Sequence, residues 1–153
     1  MINGLAKVIS TSLGIGYIQK GSGTVAALFL CLVWFFARVY ITAHPYLTCV
    51  AIVVIFALGV WSANVVEQYW GEDSSKVVID EVGGMAVSLF LIPIRWDYVL
   101  LAFILFRFFD ITKPLLIRKA EALPSGWGVM ADDLLAGMYS NLLLQLVVWS
   151  NLW

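Results

Sequence analysis

Of the ten Asp and Glu residues in this chain, half fall in three short clusters: Asp80 and Glu81 in VVIDEVGG, Asp110 in FRFFDITKP, and Asp132 and Asp133 in GVMADDLLAG. Each cluster adjoins a strongly apolar stretch, so the carboxylates are expected at helix ends, near a hydrocarbon boundary. A single acid at a helix N-terminus accepts from free backbone N–H groups and complements the dipole, contributing about 0.5–2 kcal/mol. Capping accounts poorly for the set. Asp110 falls at the C-terminal end of its apolar stretch, where the dipole disfavours an anion, and adjacent carboxylates repel unless a cation or proton compensates. A divalent cation would compensate, and carboxylate oxygens without His or Cys select Mg²⁺, Mn²⁺ or Ca²⁺ over zinc.

Basic residues interleave with these acids. Arg107 and Lys113 stand three residues either side of Asp110, with Lys20 upstream and Arg118 just beyond. Helical spacing makes Arg107, Asp110 and Lys113 one mixed-charge stripe. A salt-bridge ladder explains any one pair, but an arginine among Phe106, Phe108 and Phe109 is costly beside lipid and reads as functional. Cations next to a divalent metal are what a phosphate group requires, because its charge must be neutralised before a nucleophile approaches. The glycine-rich segment GIGYIQKGSGT, leading into a helix near Thr24, could offer N–H groups to an anion. It is not a Walker loop, since Ser22 stands where the lysine should be.

The elements that must position these groups follow from composition. The chain has 153 residues, 62% hydrophobic and 12% charged, whereas soluble domains carry about 25% charged residues. Such apolar content excludes disorder, and a net charge of -1 offers no footprint for nucleic acid. Cys31 and Cys49 lie inside apolar runs, which suggests neither a disulfide framework nor a thiolate metal site. The N-terminus lacks the apolar core and cleavage site of a signal peptide. Thr24–Thr42, Tyr46–Val66 and Leu134–Trp153 each have about the 20 residues that cross a bilayer. Val82–Ile94 and Tyr98–Phe109 are shorter, and the turn Pro93–Asp97 joins them as a helical hairpin.

The expected fold is therefore all-α: a single membrane-embedded domain over residues 1–153, a bundle of about five main helices including that shorter hairpin. Helices running alternately up and down put the segments 1–23, 67–81 and 110–133 on one membrane face. Sixteen of the nineteen charged residues, Glu72 and Asp73 among them, then lie on or near it. Arg38, His44, Arg95 and Asp97 fall on the other. The positive-inside rule makes the crowded face cytoplasmic. Tyr69, Trp70 and Trp127 suit one interface, and Tyr40, Tyr46, Trp96, Tyr98, Trp149 and Trp153 the other. Gly84, one turn after Asp80, and Ala136 and Gly137, one turn after the Asp132–Asp133 pair, would let two helices approach closely.

Taken in order, GYIQKGSGT, VIDEVGGM, FRFFDITKPLLIR and GWGVMADDLLAG resemble the phosphatidylglycerophosphatase A family over almost the whole chain. The resemblance implies an all-helical, largely membrane-embedded enzyme that uses Mg²⁺ to hydrolyse phosphatidylglycerophosphate to phosphatidylglycerol and inorganic phosphate. By position it implicates Asp80, Glu81, Arg107, Asp110, Lys113, Asp132 and Asp133. It also matches Glu67 to an acidic position upstream of the Asp-Glu pair. Two departures are visible. The family usually reads A-P-G-T where this chain has Gly21-Ser22-Gly23-Thr24, and K-P-x-P-I where it has Lys113-Pro114-Leu115-Leu116-Ile117.

Residues and resemblance together give a lipid phosphomonoesterase of a bacterial-type inner membrane, multi-pass, its site facing the cytoplasm. Asp80, Glu81, Asp132 and Asp133, with Glu67 and Asp110, would hold one or two Mg²⁺. Asp80, Glu81, Asp110, Asp132 and Asp133 would form the catalytic set. Lys20, Arg107, Lys113 and Arg118 would bind the phosphate of a substrate whose acyl chains stay in the lipid. A water activated by the metal or by a carboxylate would attack phosphorus in line, with an aspartyl-phosphate intermediate through Asp110 or Asp133 as the alternative. The alternative class is a small cation transporter or channel subunit, since acids at helix ends also line ion paths. Against it, the acids collect at one face, and Tyr46–Val66 offers only Thr48, Ser62 and Asn64 as polar lining.

Overall fold

A computed structural model of the chain describes residues 3–72 and 74–150. Asp73 and Trp153, counted above on a charged face and in an aromatic belt, lie outside them. The described residues form eight α-helices: α1 Gly4–Ser10, α2 Ser22–Phe36, α3 Arg38–Ala43, α4 Pro45–Trp70, α5 Ile79–Leu89, α6 Trp96–Thr112, α7 Ile117–Glu121 and α8 Gly126–Trp149, with one 3-10 turn at Ile15–Tyr17. The expected all-helical class stands, and the first apolar run divides into α2 and α3 at Ala37.

Helix boundaries follow local chemistry. Gly21 enters α2 with φ 72°, a left-handed conformation that glycine adopts without steric cost. Pro45 begins α4, where its missing N–H is no loss. At the end of α6, Lys113 turns out of the helix with φ 43°.

The short helix α5 occupies the centre, against α2, α4, α6 and α8. Its residues Val82–Ala86, Ser88 and Leu89 are buried, the pattern of a helix enclosed on all sides. At about 16 Å it is too short to cross a bilayer, and the first arm of the hairpin, expected at Val82–Ile94, is a buried helix over Ile79–Leu89. Asn141 of α8 resolves its buried end, its Nδ2 donating to the carbonyls of Ser88 at 3.0 Å and Phe90 at 2.7 Å. A buried helix end needs such a partner for its free carbonyls.

Close packing of α5 on α8 depends on glycine. A Cβ on Gly84 would stand 2.5 Å from the Asp133 carbonyl oxygen, and one on Gly137 would collide with the Gly84 carbonyl. The approach expected from the small residues is present.

Among the described residues, one helix, Pro45–Trp70, is long and apolar enough to cross a membrane; Ser22–Phe36 is apolar but shorter. Large apolar side chains are nevertheless widely exposed, among them Phe36, Val53, Leu142 and Leu146. Arg95 and Asp97 pair at 2.6 Å at the start of α6, and His44 stacks on Tyr40 between α3 and α4. At the other end of the helices the α4–α5 loop reaches back to the first segment: Ser22 Oγ donates to the Ser75 carbonyl at 3.0 Å, and Val78 N–H to the Ser10 carbonyl at 2.8 Å.

Candidate active site

A cavity of about 220 Å³ opens where these segments meet, lined by Ser22, Gly23, Asp80, Glu81, Asp110, Lys113, Asp132 and Asp133 together with residues of the α4–α5 loop. Three helices supply its carboxylates. Asp80 and Glu81 come from the first turn of α5, Asp110 from the last turn of α6, and Asp132 and Asp133 from α8. The last pair does not stand at a helix end as expected. Helix α8 begins at Gly126, so both aspartates lie in its second turn and are buried, 5% and 3% exposed.

The acids split into two differently neutralised groups. Arg107 Nη1 lies 2.5 Å from Glu81 Oε2 and 2.8 Å from Asp110 Oδ2. Lys113 Nζ lies 2.7 Å from Asp132 Oδ2 and 2.6 Å from Glu121 Oε1. The expected stripe is thus half present: Arg107 and Asp110 pair at i,i+3, whereas Lys113 has left the helix and crosses to α8 and α7. Asp80 Oδ1 accepts from the Glu81 N–H at 3.0 Å, so Asp80 also does part of a capping residue's work.

Negative charge is in excess here. Burial, then the neighbouring Glu81 charge, push the Asp80 carboxyl well above the usual carboxylate range. Burial and Asp110 raise Glu81, with Arg107 pulling the other way. Burial works against the Lys113 ammonium, but its bonds to Asp132 and Glu121 outweigh that and hold its pKa above the ordinary lysine value.

Three features fit an oxygen-liganded divalent cation. One ligand atom from each of Glu81, Asp110 and Asp133 lies within 4.8 Å of the other two. Asp133 Oδ2 is buried without a hydrogen-bond partner, an arrangement that is costly unless something positive faces it. The donor set is entirely carboxylate, suited to Mg²⁺.

The remaining expected residues lie further out. Glu67, at the end of α4, contacts the Ser125 hydroxyl and lines an adjoining cavity that shares Asp132 with the first. Ser125 precedes α8 with φ 56° and donates to Asn64 Oδ1 at 2.7 Å, which also accepts the Gly126 N–H. Lys20 and Arg118 are exposed and outside the cavity lining. Sequence reasoning passed over Ser22 and Gly23 individually. A Cβ on Gly23 would run into the Glu81 carboxylate, and the signal was the Gly21–Thr24 segment already noted for its possible anion contacts.

The chain matches the family described as phosphatidylglycerophosphatase A over residues 8–148. A Bacteroides thetaiotaomicron protein, provisionally named as a phosphatidylinositol-3-phosphatase, is 41% identical over 95% of this chain and 94% of its own length. A phosphatidylglycerophosphatase A of Haemophilus influenzae is 47% identical over 44% of this chain and 43% of its own. One of Escherichia coli is 27% identical over 92% and 81%. No solved structure matches. With its carboxylates and cations gathered at one cavity and this match spanning nearly its whole length, the chain is a phosphatase that belongs to the phosphatidylglycerophosphatase A family.

Proposed function

We propose that the chain hydrolyses phosphatidylglycerophosphate to phosphatidylglycerol and inorganic phosphate in phospholipid biosynthesis, with Mg²⁺ as cofactor. The observation that carries the reading is the meeting of Glu81, Asp110 and Asp133 beside Arg107 and Lys113 at one cavity. Glu81, Asp110 and Asp133 would hold the metal, with Asp80 and Asp132 beside them. A Mg²⁺ ion held by them would supply Lewis-acid polarisation of the phosphoryl oxygens and offset their charge. Lys113 and Arg107 bind the phosphate, giving up part of their contact with the carboxylates as they do so. Asp80 would keep Oδ1 on the Glu81 N–H and take the proton of the attacking water on its other oxygen, while the departing glycerol oxygen takes its proton from solvent at the open cavity. The N-terminus of α2 at Ser22 and Gly23 forms the opposite wall.

The site end would face the cytoplasm at the membrane surface, with the helices running into lipid as a multi-pass bundle. Wide exposure of apolar side chains supports this, as does the gathering of most charges at one end. Family membership and the one-sided placement of the acids favour the enzyme over a cation-transport subunit.

Phosphate release by purified protein tests the proposal. Activity is expected with Mg²⁺ and its loss with chelator or in Asp80→Asn and Asp133→Asn; full turnover in chelator, or by both variants, rejects the metal site. Single-turnover trapping of a phospho-aspartate at Asp110 or Asp133 would reject direct attack by water. A second substrate reading rests on the name of the Bacteroides thetaiotaomicron relative. Phosphatidylinositol 3-phosphate assayed alongside separates the two, and a higher kcat/KM for it would transfer the assignment.

A further inference from the structure

An apolar groove runs between α2 and α6, the two helices whose ends deliver Gly23 and Asp110 to the candidate active site. Its volume is about 310 Å³. Cys31 and Val99 form its floor, 7% and 8% exposed. The walls are Leu28 and Leu32 from α2 and Leu100 and Phe103 from α6. The two leucines of α2 and Leu100 are each 44–59% exposed, large apolar side chains that flank a trough rather than close it.

Depth identifies an occupant. Measured along the helices at about 1.5 Å per residue, the near end of the groove at Leu28 and Phe103 lies about 8–10 Å from Gly23 and Asp110. The far end, at Phe35 and Trp96, lies about 18–21 Å away by the same measure. In a bilayer the headgroup layer accounts for about 5–8 Å on each side. A lipid phosphate held at the cavity therefore brings its acyl chain to the depth at which the groove begins, and the apolar walls run about 10 Å further along the helices.

We propose that this groove binds one acyl chain of the lipid phosphomonoester whose phosphate occupies the cavity. Chain recognition is then continuous with the catalytic site through α2 and α6, rather than left wholly to bulk lipid. The inference rests on the lipid-phosphatase reading above.

Two separate variants, Leu28→Trp and Leu100→Trp, place bulk into the groove from opposite walls. Each is assayed on a long-chain (dioleoyl) substrate and its dihexanoyl analogue, both with the phosphoglycerol phosphate headgroup, in the same detergent. Val53→Trp, on the exposed face of α4, controls for added bulk on a lipid-facing helix. The expected result is a drop of about tenfold or more in kcat/KM for the long chains, carried by KM, with the short-chain value and the Val53 control within about twofold. Unchanged long-chain kinetics in both variants, or an equal loss on both substrates with native melting behaviour, overturns the groove. If one variant fails to fold, the other decides. Inability of the unmutated protein to hydrolyse either substrate with Mg²⁺ would instead reject the phosphatidylglycerophosphate reading, so the two failures are distinguishable.

Discussion

At the scale of residues, the site is a contest between two cations and a larger number of carboxylates. Arg107 serves Glu81 and Asp110, Lys113 serves Asp132 and Glu121, and Asp133 Oδ2 is left buried without a partner. Replacing Asp133 by its neutral isostere should therefore act in opposite directions on activity and on metal-free stability. Asp133→Asn is expected to lose at least about 100-fold in kcat/KM while melting at or above the unmutated temperature without metal. Mg²⁺, which should raise the melting temperature of the parent by preferential binding to the folded state, should raise that of the variant little. Melting curves with and without Mg²⁺ check both halves. The raised carboxyls of Asp80 and Glu81 add a pH dependence. A folded-state pKa above the unfolded one means that the folded protein binds more protons between the two values, so stability falls as pH rises through the raised value. The metal-free protein should consequently melt at a higher temperature when pH is lowered from neutrality towards the ordinary carboxylate range, and Mg²⁺ should flatten the trend. A metal-free melting temperature that climbs with pH across that window would contradict the assigned burial.

At the scale of elements, the position of the acids depends on one helix crossing. Gly137 meets the Gly84 carbonyl, and Gly84 meets the Asp133 carbonyl and the Phe106 ring, so the α5 and α8 backbones touch beside the carboxylates they carry. Added side chains there must part the helices. Gly137→Val is expected to cost about 1–3 kcal/mol through overpacking, and to reduce activity further than the stability loss alone explains, because Asp80 and Glu81 move relative to Asp133. Thermal melting together with kcat at a temperature where the variant remains folded tests this. Small residues near the acids signalled this contact in the sequence, since glycine at one-turn spacing from a functional side chain points to a close backbone approach. The status of α5 was less legible. Its apolar pattern fits a buried helix and a short lipid-facing one equally, and the side-chain amide of Asn141, far along the chain, satisfies its end.

At the scale of the whole molecule, charge and apolar surface are segregated along the helix direction. The segments before α2, between α4 and α5, and around α7 gather at the site end; the Arg95–Asp97 pair at the start of α6 and His44 between α3 and α4 lie at the other. If the site end faces the cytoplasm, single cysteines at Lys119 and Arg95 in a background lacking Cys31 and Cys49 should label from opposite sides. In intact cells an impermeant thiol reagent is expected to reach the Arg95→Cys position and not the Lys119→Cys position, with the second reacting after lysis. The reverse pattern would invert the orientation, and labelling of both in intact cells would discard the transmembrane arrangement.

What the sequence determined by itself was the inventory. The low charge content, the apolar runs, the three acidic clusters and the basic residues interleaved with them are properties of residue type and linear spacing. They suffice for an all-helical class and are the basis on which metal and phosphate chemistry is proposed, and the ordered motifs suffice for the family. The tertiary structure decided which of those groups meet. Glu81, Asp110 and Asp133 come from three helices distant in sequence; their convergence depends on where α5 begins and how closely α8 crosses it. Glu67 instead faces Ser125. Lys113 abandons its expected stripe because the backbone turns left-handed at that residue, and it neutralises Asp132 rather than Asp110. Helical periodicity describes neighbours one turn apart; contacts between helices depend on crossing geometry, which only the packed chain defines.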